Sequence, residues 1–120
     1  MEEYKTMDMM ELELTYRKYG GAINKKDYKE ALMLNNLIYE SEFSRYLSSI
    51  NYRNSLKQRI TKLEKLKSRK KLKSRNKFQN YYSNLLVEMR EIKSTINAIQ
   101  KNLECLINAS RKFVEEKWKI

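Results

Sequence analysis

Seven-residue spacing dominates the C-terminal third of the chain. Phe78, Leu85, Ile92, Ile99, Leu106 and Phe113 recur every seven residues, interleaved with Tyr82, Met89, Ile96, Leu103, Ser110 and Lys117. Ten of these twelve positions are apolar. A sustained repeat of this kind turns one stripe of a helix toward a partner helix, so it predicts a helix over about 77–118 with coiled-coil-like packing. Upstream, Tyr28, Leu32, Tyr39, Phe43, Tyr46, Leu47, Ile50, Leu56, Ile60, Leu63 and Leu66 also recur at helical spacing, with a slip of phase between Ile50 and Leu56. They predict a helix over about 25–72. Its start is marked by Asn24 as N-cap, Asp27 three residues on, and Ile23 and Tyr28 as a hydrophobic staple. The first segment, about 2–19, spaces Tyr4, Met7, Met10 and Leu14 for a helix and places Glu2, Glu3, Asp8, Glu11 and Glu13 in its early turns, where the helix dipole favours acids. Gly20-Gly21 is the expected end of that helix.

Between the two long helices the pattern thins. From Lys67 to Lys77 the only apolar residue is Leu72, and Ser74-Arg75-Asn76 offers a polar turn at about 73–76. Folding back there pairs arms of about 48 and about 43 residues, each roughly 65–70 Å long at the helical rise per residue. The expected fold is therefore all-α: one elongated helical domain over 1–120, built as a long antiparallel, coiled-coil-like hairpin with a shorter N-terminal helix packed at its open end. The alternative is one uninterrupted helix of about 95 residues that dimerises. In either case the apolar seam has to be covered, by the same chain or by a second copy as a homodimer.

Composition narrows the fold further. The chain has no proline and only two glycines, which excludes the many turns of a sandwich or barrel. Hydrophobic residues at 41% against 34% charged allow a thin core. No apolar run is long enough to cross a membrane, and the acidic start Met1-Glu2-Glu3-Tyr4 does not read as a signal peptide. A single cysteine forms no internal disulfide, and Cys105, close to Leu103 and Leu106, reads as a buried small hydrophobe. These features predict a cytoplasmic protein without a membrane contact.

The run Ala22 to Ile38 holds an acid, Asp27, then Tyr28, Ala31, Leu34 and Ile38. It resembles the core of a UVR-type helical hairpin. Leu32 stands where that motif has a second alanine, and Asn35-Asn36 stands where it has Arg-Asp. UVR hairpins dock on partner proteins, so the resemblance implies a protein–protein surface on the N-terminal hairpin.

The chemistry is mostly one of exclusion. Histidine is absent, removing the commonest general base and transition-metal ligand. One cysteine without histidine makes neither a Cys-His nucleophile nor a structural zinc site. The aspartates are Asp8 and Asp27 alone, and no glycine-rich phosphate loop exists. The expectation is a protein that is not an enzyme and needs no cofactor.

Charge supplies the positive signal. Arg53, Lys57, Arg59, Lys62, Lys65, Lys67, Arg69, Lys70, Lys71, Lys73, Arg75 and Lys77 share 25 residues with one acid, Glu64. That segment carries +11, the net charge of the whole chain, so the other 95 residues balance. Like charges three or four residues apart cost helix stability, and Arg75 and Lys77 sit where the dipole of the third helix disfavours cations. An anionic ligand relieves both costs, and nucleic-acid phosphate, DNA or RNA, is the first candidate. The residues expected to meet it are Arg59, Lys62, Lys65, Arg69, Lys70, Lys71, Lys73, Arg75 and Lys77. Tyr52 and Tyr81 are candidates for stacking on bases, whereas Phe78 and Tyr82 fall on the seam and are expected in the core. An acidic protein, an anionic membrane, a solvated helix face and a coiled-coil spacer are the competing readings.

Overall fold

The computed structural model describes residues 7–68 and 75–118; the side chains at 67, 68, 75, 76, 117 and 118 fall outside it. Three helices follow one another: α1 (Met9–Asn24), α2 (Tyr28–Ser68) and α3 (Arg75–Trp118). There is no strand among the described residues. The two long helices pack against each other and the short α1 contacts them, which is the hairpin rather than the single continuous helix. The chain divides into two compact units, Met1–Tyr46 with Ile99–Ile120, and Leu47–Ala98.

The first unit has a three-helix core. Leu12, Tyr19 and Ala22 of α1 meet Ala31, Leu34 and Ile38 of α2, and Leu106 and Phe113 of α3. Phe113 takes the edge of Tyr19 at 6.0 Å and the face of Tyr28 at 5.8 Å. Antiparallel pairing is direct: Tyr28 lies against Phe113, Asn35 bonds at Leu106, and Glu42 bonds to Asn102. The second unit buries Leu56 of α2 against Leu85 and Met89 of α3, with Ile60, Leu63 and Ile92 packed around them. Tyr52 bonds to Glu88 and Glu64 to Tyr82, again with one helix rising as the other falls.

On α3 the seven-residue repeat is the buried stripe. Phe78, Leu85, Met89, Ile96, Ile99, Leu103, Leu106 and Phe113 are buried, and Tyr82, Ile92 and Ser110 are half-buried. On α2 the phase does not slip. Asn35, Glu42 and Leu56 stand seven or fourteen apart and are all buried, with Tyr28, Ser49 and Leu63 half-buried in the same register. Polar side chains at seam positions hid this repeat from a hydrophobic count. Asn35 Nδ2 donates to the Tyr19 hydroxyl at 3.0 Å and to the Leu106 carbonyl at 2.9 Å, which satisfies it inside the core.

Several boundaries differ from those expected. α1 starts at Met9 because Asp8 caps it, its Oδ1 accepting from the Glu11 N–H at 2.8 Å; positions 2–6 of the expected helix lie outside the described residues. Gly20-Gly21 does not end α1, which continues to Asn24. Tyr19 and Ala22, flanking the glycines, are both buried, and that burial offsets the roughly 1 kcal/mol that each glycine costs a helix. The reversal comes at Lys26, in the left-handed region at φ 57. Lys26 N–H donates to the Ile23 carbonyl and Asp27 N–H to the Ala22 carbonyl, the paired bonds of a Schellman closure. Asn24 is thus the last residue of α1 and not an N-cap. Asp27 itself caps α2, its Oδ1 accepting from Glu30 N–H at 3.2 Å and its carbonyl from Ala31 N–H at 2.9 Å. α2 is described to Ser68 and α3 from Arg75; the expected turn residues Lys73 and Ser74 lie outside the described residues. Cys105 is exposed, not buried: it precedes Leu106 by one residue, about 100° round the helix from the seam.

Candidate nucleic-acid interface

The basic segment begins on the second half of α2. There Leu56, Ile60 and Leu63 turn inward to the second core, so residues at other phases of the helix meet solvent. Lys57, Arg59, Lys62 and Lys65 are exposed. Arg59, Lys62 and Lys65 follow at intervals of three, which keeps them on one side of the helix. Arg53 is half-buried, and its Nε is enclosed without a hydrogen-bond partner. On α3, Lys77 is exposed one residue before buried Phe78. Arg69, Lys70, Lys71 and Lys73 lie outside the described residues; Lys67 and Arg75 fall within helices, but their side chains do not belong to the described set. Of the nine residues expected to meet phosphate, four have described side chains, and all four, Arg59, Lys62, Lys65 and Lys77, are exposed.

The tyrosines separate into two kinds. Tyr52 is 43% exposed, but its hydroxyl donates to Glu88 Oε2 at 3.1 Å. Tyr82 donates to Glu64 Oε1 at 3.0 Å while its ring stacks on Phe78 at 5.8 Å. In both, the hydrogen bond to a carboxylate raises the phenol pKa, because it favours the protonated form. Tyr81, 49% exposed, has no such tether among the described residues. Of the two candidates for base stacking, Tyr81 is thus the unencumbered one, and Tyr52 must give up a hydrogen bond to turn. Phe78 and Tyr82 do lie on the seam.

Two features of this surface escaped the sequence reading. Glu64, the lone acid of the basic segment, is engaged by Tyr82. Asn80 and Asn84 flank Tyr81 on the exposed side of α3, at three- and seven-residue spacing from Lys77. Their four-residue separation was the available signal. No grouping of His, Cys, Asp and Glu among the described residues is arranged to hold a metal ion. No described helix is long and apolar enough to cross a membrane.

A second polar cluster lies in the first unit. Glu42 is completely buried; its Oε1 accepts from Arg45 Nη1 at 2.6 Å and its Oε2 from Asn102 Nδ2 at 2.8 Å. Tyr16 places an enclosed hydroxyl beside the Glu42 carboxylate. Burial, and next the Glu42 carboxylate, push that phenol up to about 12. These residues border a cleft of about 650 Å³ whose remaining walls include Met9, Met10 and Leu12. The polarity of Glu42 and Arg45 led away from the core in a hydrophobic count; the seven-residue register of Glu42 with Asn35 and Leu56 was the signal.

No protein-family model, curated protein or solved structure matches this chain.

Proposed function

We propose that this is a non-enzymatic, nucleic-acid-binding accessory protein that grips the phosphate backbone with the segment 53–77. The observation that carries the reading is the confinement of the entire net charge, +11, to those 25 residues. Exposure of Arg59, Lys62, Lys65 and Lys77 supports it, as does the engagement of Glu64 by Tyr82, which leaves that carboxylate less available to compete for the cations. Phosphate contact of this kind positions the ligand without reading its sequence. Each neutralised phosphate releases condensed counterions, so affinity falls steeply with salt.

The test is fluorescence anisotropy with labelled duplex DNA, single-stranded DNA and structured RNA at two salt concentrations. Reversing Arg59, Lys62, Lys65 and Lys77 to glutamate removes exposed charges and spares the core. Binding is expected to collapse, with the slope of log affinity against log salt shrinking by about 3–4. Retained binding in that variant sinks the proposal.

A protein–protein adaptor is the second reading, and the N-terminal hairpin favours it through one observation. The motif-matching Ala31, Leu34 and Ile38 are consumed by the core, yet Met33 and Leu37, one turn apart on α2, remain exposed. A pull-down abolished by Met33→Glu and Leu37→Glu, and indifferent to the charge reversal, would establish this reading over the first.

A further inference from the structure

We propose that the ligand of the basic segment is a single-stranded nucleic acid, held along one flank of the α2–α3 pair with Tyr81 stacked on an unpaired base. This rests on the phosphate-binding reading above and adds the class of strand.

Two hydrogen bonds mark the flanks of the second unit. Tyr52 to Glu88, at 3.1 Å, closes one side of the helix pair, and Tyr82 to Glu64, at 3.0 Å, closes the other. Glu64 stands about 120° round α2 from Tyr52, with the buried Leu56 facing between them. Helical spacing then sorts the cations. Arg59 lies two turns beyond Tyr52 on α2, close enough for its charge to act on the Tyr52 phenol, and Lys62 follows one turn on. Tyr81 lies two turns before Glu88 on α3, and Lys77 one turn before Tyr81. Arg59, Lys62, Lys77 and Tyr81 therefore share the Tyr52–Glu88 flank, while Glu64, the one acid of the basic segment, is on the other. The carboxylates of the shared flank, Glu88 and Glu91, lie beside Tyr52, so phosphates are drawn to the Lys77–Tyr81 end.

That flank also exposes apolar surface among its cations. Tyr81 is 49% exposed, and Leu66, two turns beyond Arg59, is 40% exposed. Paired and stacked bases of a duplex leave such a surface uncovered. An unpaired base covers the ring while neighbouring phosphates meet the lysines and Arg59. Tyr52 is held by Glu88, so Tyr81 is the ring that stacks.

The probes are a labelled oligothymidine, an abasic strand with the same number of phosphates, and a duplex of the same length. Each is titrated with the full chain by anisotropy at two salt concentrations, with oligouridine run beside them as the RNA counterpart. The parent protein is expected to bind a single strand with bases, DNA or RNA, about tenfold more tightly than the abasic strand, and more tightly than the duplex. Tyr81→Ala is expected to remove that tenfold advantage without changing the abasic affinity or the salt slope, since no charge is lost. Tyr81→Phe keeps the ring and is expected to bind as the parent does. Lys77→Ala instead lowers the slope by about 0.7. Equal affinity for the abasic strand, a preference for duplex, or Tyr81→Ala without effect overturns this inference and leaves phosphate binding standing. Absence of binding to every probe overturns both.

Discussion

Replacing Glu42 by alanine removes the buried acceptor of two part-buried hydrogen bonds at once. Arg45 loses its carboxylate and Asn102 loses the oxygen that takes its amide proton. Breaking a buried ion pair by deleting one partner typically costs about 3–5 kcal/mol, because the remaining charge stays desolvated. Arg45 retains 29% of its side-chain exposure, so water partly recovers it and the lower end, about 3 kcal/mol, applies. Against a total stability of order 0.1 kcal/mol per residue, that is a large fraction for a chain of 120 residues. Glu42→Gln keeps the volume and one oxygen but loses charge assistance and turns a donor toward a donor, so about 1.5 kcal/mol is expected. Urea unfolding followed by the helical circular-dichroism signal measures both. Combining Glu42→Ala with Arg45→Ala in a double-mutant cycle isolates the pair, with a coupling of about 1–2 kcal/mol. A loss below about 1 kcal/mol for Glu42→Ala, with an unchanged urea slope, would refute the reasoning: the carboxylate would then be hydrated rather than enclosed.

Three further outcomes follow from the same geometry. Gly20→Ala and Gly21→Ala place a methyl group in open space within a helix and should each raise stability by up to about 1 kcal/mol, read as an upward shift in the urea midpoint. Lys26→Gly relieves a left-handed backbone at φ 57 and should add about 0.5–1 kcal/mol by the same assay, whereas Lys26→Val should destabilise. The raised Tyr16 phenol makes stability fall at alkaline pH. Unfolded chain gives up that proton near 10 and folded chain near 12, so the contribution is complete below pH 10 and lost between pH 10 and 12. The stability gap between wild type and Tyr16→Phe should therefore move toward the variant across that interval; a gap independent of pH would contradict the enclosed hydroxyl.

Sequence alone determined the secondary structure class, the seam of α3 and the place of the charge. Period is local information: Phe78, Leu85, Ile99, Leu106 and Phe113 carry the seven-residue repeat in their own spacing, and the absence of proline leaves long helices as the solution. Tertiary structure decided whatever depends on which polar group meets which. Asn35 and Glu42 enter the seam only because Tyr19, Leu106 and Asn102 stand opposite, and Arg45 one turn along α2, to satisfy them. The same reason governs the α1 boundary. Gly20-Gly21 is a stop in isolation, yet burial of Tyr19 and Ala22 against α2 and α3 carries the helix through it to a closure at Lys26. It governs the surface as well: Tyr52 and Tyr81 look alike in sequence, and only the neighbouring Glu88 ties one of them down.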